Sequence, residues 1–130
     1  MALRCAAGSS MVSAVAAWAP VTDVARWRET TEHPGIPEYI DDVCSDGNLA
    51  ARSPASFAAE IGVPVLLVHG DADTRVPTSQ SRLLHDSITA CGGQCRLELL
   101  PGVGHHRRPA GNDRAFALTA NFFGMHLPRA

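Results

Sequence analysis

The sequence contains no lysine: all eleven of its basic residues are arginine, and thirteen acidic residues leave a net charge of −2. Nucleic-acid binding needs an excess of clustered basic side chains to neutralise phosphates, so we expect no nucleic-acid partner. Aromatic residues are also scarce, at 5%, yet apolar residues in total reach 45% and charged residues only 18%. This balance is typical of a folded domain and excludes general disorder.

Long apolar runs are absent as well. The longest such segment, MVSAVAAWAPV over residues 11–21, is far shorter than the roughly 20 residues that a membrane-spanning helix needs. We therefore expect no membrane partner, and the early interruption by Gly8, Ser9 and Ser10 argues against a signal peptide. A length of 130 residues corresponds to one domain.

Cysteine is sparse, with four residues that include Cys91 and Cys95. This content is too low for a disulfide scaffold, and free cysteines favour a reducing compartment such as the cytoplasm. The spacing of Cys91 and Cys95 matches neither the CxxC redox motif nor a paired zinc-binding pattern, so we interpret both as buried small apolar residues. Several histidines also lack metal-ligand spacing, so we expect no metal and interpret them as structural or surface residues: His33, His69, His85 and His126.

Strands and helices alternate along the chain, which predicts a layered α/β fold. Apolar segments bounded by glycine or proline predict strands over residues 11–18, 63–69 and 95–100. Helices are predicted over residues 2–7, 23–31, 37–44, 53–60 and 78–91, with a last helix capped by Asn112 or Asp113. We therefore expect a parallel sheet of about three strands with flanking helices. Because such a sheet has two open edges, the isolated chain should be poorly soluble or oligomeric.

Helical spacing also predicts which residues cover the sheet. Leu84, Ile88 and Cys91 recur at one face of the helix over residues 78–91. In the last helix the corresponding residues are Phe116, Ala120 and Phe123. Both faces are expected to pack into the core.

Titratable side chains follow two of the predicted strands. The segment HGDAD places Asp71 and Asp73 after the second strand, and PGVGHHRRP places His105 and His106 after the third. The carboxyl ends of parallel strands lie at one edge of a sheet, so a carboxylate and an imidazole placed there can meet. A carboxylate that accepts the Nδ1 proton fixes the histidine tautomer, and the imidazole then works as a general base and acid near neutral pH.

These segments resemble a known family. GVPVLLVHGDADTRVPTSQSRLLHDSITACGG followed by CRLELLPGVGHHRRP is similar to the catalytic domain of the prolyl oligopeptidase family of serine peptidases, as are AVAAWAPVTD and RSPASFAAEI to its preceding segments. The resemblance implies an α/β-hydrolase fold in which Asp73 is the triad aspartate and His105 the triad histidine. The alternative roles are a turn-stabilising aspartate and an exposed loop histidine. Asp71 is interpreted as a turn residue and His106 as a solvent-facing one.

The resemblance also implies an apolar pocket for the residue before the scissile bond. Val21, Val24 and Trp27, after the first strand, and Val76, after Asp73, are its candidate lining, with ordinary core positions as the alternative. Arg75 stands where this family often has a polar residue near the substrate carbonyl, and we expect it to be exposed to solvent.

The sequence does not contain a nucleophile elbow. In α/β-hydrolases the catalytic serine lies in a G-x-S-x-G turn between a strand and a helix, and no such motif occurs in these 130 residues. The resemblance therefore assigns residues 1–130 to the C-terminal portion of a catalytic domain and places the serine upstream of Met1. The expected partners are a peptide substrate and the missing N-terminal part of the hydrolase domain.

Three alternatives remain at this point. The chain can be a truncated, inactive α/β-hydrolase fragment or binding module, or an esterase of the same fold. A flavodoxin-like ligand-binding domain is the third, but it would need a glycine-rich phosphate loop after an early strand, and the sequence has none. We therefore expect no cofactor.

Overall fold

A three-stranded parallel sheet forms the centre of the computed structural model, which describes residues 1–106 and 108–129. The strands are β1 (Val15–Trp18), β2 (Val65–Gly70) and β3 (Cys95–Leu100), and their order in the sheet is β1-β2-β3. Every residue of the central strand β2 is buried, because layers of helix cover both faces of the sheet. The predicted parallel α/β architecture is confirmed.

Helices fill the connections between the strands. Their bounds are α1 (Ala2–Ala6), α2 (Val24–Thr30), α3 (Ile36–Val43), α4 (Ser79–Ala90) and α5 (Pro109–His126), with 3-10 helices over Ala50–Arg52 and Pro54–Glu60. None of the helices in the described ranges is long and apolar enough to cross a bilayer.

The core has two halves, one on each face of the sheet. Alternate residues of a strand point to opposite faces, so Leu67 of β2 packs towards α1 and α4 while Leu66 packs towards α5. Leu84 and Ile88 of α4 complete the first half, and both are fully buried, as helical spacing predicted. A smaller cluster joins α2 to α3 through Val24, Ile40 and Cys44.

The last helix differs from the prediction in both its start and its buried face. It begins at Pro109 rather than at Asn112 or Asp113, because the fixed φ of proline suits the first helical turn, where its missing N–H costs nothing. Its buried residues are Gly111, Ala115 and Phe122. The predicted face was therefore wrong by about one position, a rotation of roughly 100°, which leaves Phe116 65% exposed with its ring edge-on to Trp18.

Two other predictions are wrong. The first strand begins at Val15 rather than at residue 11, because only four of its residues have register partners on β2 and Met11 lies exposed before it. Cys91 is exposed just beyond the end of α4, where it cannot reach the core, and Cys95 is half-buried. Burial raises the pKa of the Cys95 thiol to about 11. Within the described residues all four cysteines are free.

Candidate active site

Two loops at the carboxyl ends of β2 and β3 bring Asp73 and His105 into contact. Nδ1 of His105 donates to Oδ2 of Asp73 over 2.9 Å. The Asp73 side chain is fully buried, whereas the His105 side chain is 30% exposed. The carboxylate therefore lies behind the imidazole, and the opposite ring nitrogen, Nε2, is the one left for a reacting group.

The second carboxylate oxygen of Asp73 holds its own loop. Oδ1 accepts the backbone N–H of Arg75 over 3.0 Å and that of Val76 over 2.9 Å. An aspartate that accepts backbone N–H groups two and three residues ahead closes a tight local turn. Each oxygen thus has a separate task, since Oδ1 shapes the turn and Oδ2 orients the histidine.

The His105 loop is fastened to the Asp73 loop by a second set of contacts. The N–H of Ala72 donates to the carbonyl of Val103 over 3.0 Å, and the Asp71 carboxylate accepts the N–H of Gly102 over 2.7 Å. The two loops can approach this closely because residue 70 is glycine. A Cβ built at Gly70 would lie 2.0 Å from the Val103 oxygen. Asp71 is a turn residue, as expected, and it also links the two turns.

An apolar pocket of about 380 Å³ opens beside His105. Three of the four predicted lining residues, Val21, Trp27 and Val76, are among its walls. Val24 is not, because it packs into the small core between α2 and α3. Sequence reasoning missed three other walls, which are Ala19, Ile36 and Tyr39. Ala19 follows β1, and Ile36 and Tyr39 lie on α3, where the sequence carries no pattern that would have indicated a pocket wall.

Hydrogen bonds hold the pocket walls in place. The indole N–H of Trp27 donates to the carbonyl of Arg75 over 2.8 Å, which joins α2 to the Asp73 turn. On the other side, the Gln80 side chain accepts the N–H of Thr22 over 2.8 Å and fixes the segment that carries Val21. Ala19 has a φ of 46°, in the left-handed region that is unfavourable for a residue with a Cβ. Such strain is typically retained at functional sites.

Arg75 does not face solvent as predicted. It is half-buried at the pocket, where its guanidinium donates to Nε2 of His33 over 3.2 Å. Its own carbonyl also accepts from Trp27 and from the hydroxyl of Thr31, so the residue is held by both backbone and side chain. A permanent positive charge therefore lies at the edge of an otherwise apolar pocket.

Of the other histidines in the described ranges, all but one lack a charge pair with Asp73. His106 is exposed as expected, with its ring centroid 5.5 Å from that of His105. His85 pairs with Asp86 in solvent, and His126 packs on Phe122. The exception is His69, which is fully buried and lies 3.5 Å from Asp73.

Arg107, within PGVGHHRRP, lies outside the described residues. Among residues 1–106 and 108–129, no three histidine, cysteine, aspartate or glutamate side chains converge as a metal-binding group. The buried carboxylate of Asp73 fixes the tautomer and the orientation of His105, which leaves Nε2 able to accept a proton.

The chain matches the family model described as "Prolyl oligopeptidase family" over residues 1–129. It is 30% identical over 80 residues to the "Uncharacterized peptidase YuxL" of Bacillus subtilis (strain 168), a match that covers 58% of this chain and 12% of that protein. That relative is therefore much longer than the part matched here.

Solved structures share the fold. A puromycin-hydrolyzing peptidase of Mycobacterium tuberculosis superposes with a TM-score of 0.86 at 20% identity, covering 98% of this chain and 20% of that one. The acylaminoacyl peptidase of Pyrococcus horikoshii superposes with a TM-score of 0.84 at 18% identity, covering 97% and 22%. These 130 residues thus span about a fifth of either neighbour.

Proposed function

Because this chain belongs to the prolyl oligopeptidase family, we propose that it supplies the histidine and the aspartate of a serine peptidase site. His105 is the general base and acid, and Asp73 is the carboxylate that orients it. The observation that carries this proposal is the 2.9 Å contact between Nδ1 of His105 and Oδ2 of a fully buried Asp73. The nucleophilic serine comes from a segment outside these residues.

In the proposed reaction His105 accepts a proton and then donates it, once while the acyl-enzyme forms and once while water hydrolyses it. Nε2 takes the serine proton as the serine oxygen bonds to the peptide carbonyl carbon, and gives that proton to the nitrogen of the leaving amine as the C–N bond breaks. Water then attacks the acyl-enzyme, with Nε2 again removing a proton and returning it to the serine oxygen. Asp73 stays ionised throughout and stabilises the imidazolium that forms beside it.

The pocket beside His105 supports a substrate with an apolar side chain before the scissile bond. Val21, Trp27 and Val76 provide an apolar lining within reach of the reacting centre. Its volume of about 380 Å³ is in the range of small-molecule sites and holds one large side chain. In the family resemblance this is the position that selects the residue at the cleaved bond.

The direct test uses the full polypeptide that carries these residues. His105→Ala and Asp73→Asn are each compared with His106→Ala, which removes an exposed imidazole from the adjacent position. Turnover of a chromogenic peptide amide should fall by about three to four orders of magnitude in the first two variants and by less than about threefold in the third. Turnover retained by His105→Ala would exclude His105 from the mechanism.

Two controls separate this proposal from its alternatives. A chromogenic ester with the same side chain is assayed beside the amide, because one fold and one histidine–aspartate pair can serve both bonds. Hydrolysis of the ester alone would make the protein an esterase. No hydrolysis of either by the folded wild type would leave it as an inactive binding module and overturn the proposal.

A further inference from the structure

A second histidine lies directly beneath the candidate catalytic pair. His69 is the second-last residue of strand β2 and lies four positions before Asp73 in the chain. Its side chain is fully buried. Nδ1 contacts the Ser81 hydroxyl at 2.7 Å, and Nε2 contacts the carbonyl oxygen of Val76 at 2.7 Å. Nε2 also lies 3.5 Å from Oδ2 of Asp73.

These partners determine where the His69 proton lies. A carbonyl oxygen can only accept, so Nε2 must carry a proton towards Val76. Nδ1 then has a lone pair, which accepts from the hydroxyl of Ser81 on α4. Burial lowers the pKa of His69, and this effect outweighs the opposing influence of Asp73, so the ring is neutral at physiological pH. The tautomer is set by protein contacts and does not depend on solvent.

The ring closes a loop of contacts around Val76. The N–H of Val76 donates to Oδ1 of Asp73, and its carbonyl accepts from His69. Both polar groups of this residue are therefore held, one by the aspartate and one by the histidine. Because Val76 is itself 3% exposed, neither group can turn to water instead. The Asp73 turn is thus anchored to β2 and to α4 through a single imidazole.

We propose that His69 is a positioning residue: its buried Nε2–H holds the turn from Asp73 to Val76 so that Oδ2 of Asp73 points at Nδ1 of His105. Nε2 of His69, whose N–H binds the Val76 carbonyl, also lies 3.5 Å from Oδ2, the oxygen that contacts His105. The consequence for catalysis rests on the proposed peptidase function. The positioning does not, because it concerns a contact present without substrate.

The test compares two variants in the full polypeptide. His69→Leu keeps a similar apolar volume but removes both polar contacts, whereas His69→Gln keeps a side-chain N–H for the Val76 carbonyl. His85→Leu, at a half-buried position on α4 that pairs with Asp86, is the matched control. The first readout is the Nδ1–H resonance of His105 in proton and nitrogen NMR with labelled histidine, which reports the contact with Asp73 and needs no peptidase activity.

We expect the His105 Nδ1–H resonance to be lost or strongly shifted in His69→Leu and to stay close to its wild-type position in His69→Gln and His85→Leu. In the kinetic arm, kcat should fall roughly ten- to a hundredfold in His69→Leu with KM within about twofold, and His69→Gln should recover most of it. An unchanged resonance in folded His69→Leu would overturn the proposal.

A further variant, at Ser81, tests the proposal if His69→Leu does not fold. Ser81→Ala removes only the donor to Nδ1 and should shift the His105 resonance in the same direction by a smaller amount. No shift in Ser81→Ala would then overturn the proposal. If the wild type hydrolyses no peptide while the resonance still responds to His69, the proposed function fails and the positioning role stands.

Discussion

The Val103 carbonyl lies directly over the α-carbon of Gly70, so close that a methyl group at residue 70 would stand 2.0 Å from the Val103 oxygen. Real Cβ atoms do not approach an oxygen to that distance. The close approach lets the same carbonyl accept the N–H of Ala72 over 3.0 Å and so draws the His105 loop onto the Asp73 loop. The absence of one side chain at Gly70 is therefore a condition for the contact between Asp73 and His105.

Gly70→Ala should weaken both the fold and the candidate site. The added methyl must push the Val103 backbone away, and overpacking of this kind costs about 1–3 kcal/mol of unfolding free energy or more. His105 should move with its loop, so that its Nδ1–H resonance changes and turnover falls. Chemical denaturation and NMR of the same samples measure the two effects.

Gly124→Ala is the matched control for Gly70→Ala. Nothing lies within 4 Å of a Cβ built at Gly124, which is near the end of α5. Alanine there should raise the unfolding free energy by about 0.5–1 kcal/mol because it favours the helix. Equal stability changes in the two variants would contradict the crowding argument at Gly70.

Asp71 should act on the site through its hydrogen bond across the two loops. Its carboxylate accepts the N–H of Gly102 over 2.7 Å. Asp71→Ala should lower the unfolding free energy by about 1 kcal/mol and reduce turnover, whereas Asp71→Asn keeps an acceptor oxygen and should lose less of both. Asp86→Ala, at an exposed carboxylate on α4, is the control. A loss in Asp71→Asn as large as that in Asp71→Ala would show that the charge, and not the hydrogen bond, matters.

Acid should destabilise the fold through His69. The reference pKa of histidine is 6.5, and burial lowers the pKa of His69 in the folded state. The unfolded chain therefore binds more protons below pH 6.5, and stability falls with pH from that value down to the folded pKa, below which the loss is complete. The slope contributed by one such histidine approaches about 1.4 kcal/mol per pH unit.

The comparison that isolates this effect is wild type against His69→Gln across pH 4.5–7.5. Other titrating groups are common to both proteins, so the difference between their unfolding free energies is the contribution of His69. This difference should shrink as the pH falls, because only the wild type loses the stability of a neutral imidazole. A difference that stays constant with pH would mean that His69 titrates alike in both states.

The pocket walls should determine which substrate side chain the proposed peptidase accepts. Val76→Ala enlarges the cavity beside His105 and should shift preference towards larger side chains, seen as a change in the ratio of kcat/KM between paired substrates. Val24→Ala removes the same two carbons from the core between α2 and α3, where the residue does not line the pocket. It should lower stability without changing the ratio. A changed ratio in both variants would mean that the pocket responds to general loosening of the fold.

The sheet edges should govern how the 130-residue chain behaves by itself. Within the described residues β2 is the one strand that neighbours β1, so the other side of β1 is an open edge of the sheet. An exposed parallel edge favours self-association, and we expect oligomers or precipitation. Sedimentation at several concentrations measures this. A monomer with one sharp thermal transition would contradict the expectation.

The sequence predicted the fold best where a segment consists almost entirely of apolar residues. Residues 63–69 are apolar except for His69, and residues 65–69 lie in the fully buried strand β2. The sequence predicted the buried face of α5 poorly, because apolar residues occur on several faces of this helix. Ala115 is buried there, and Phe116 is exposed. Spacing alone cannot choose between neighbouring faces, because the choice depends on the shape of the sheet beneath the helix.

By itself the sequence determined the alternation of strands and helices and the placement of Asp73 and His105 just after two neighbouring strands. Those features follow from periodicity and from turn residues, which act over a few positions. Tertiary structure alone decided that the two side chains meet at 2.9 Å, that Val21 lines the pocket while Val24 does not, and that His69 is buried beneath them. These outcomes depend on how closely separate loops approach, and that distance is set by packing between residues far apart in the chain.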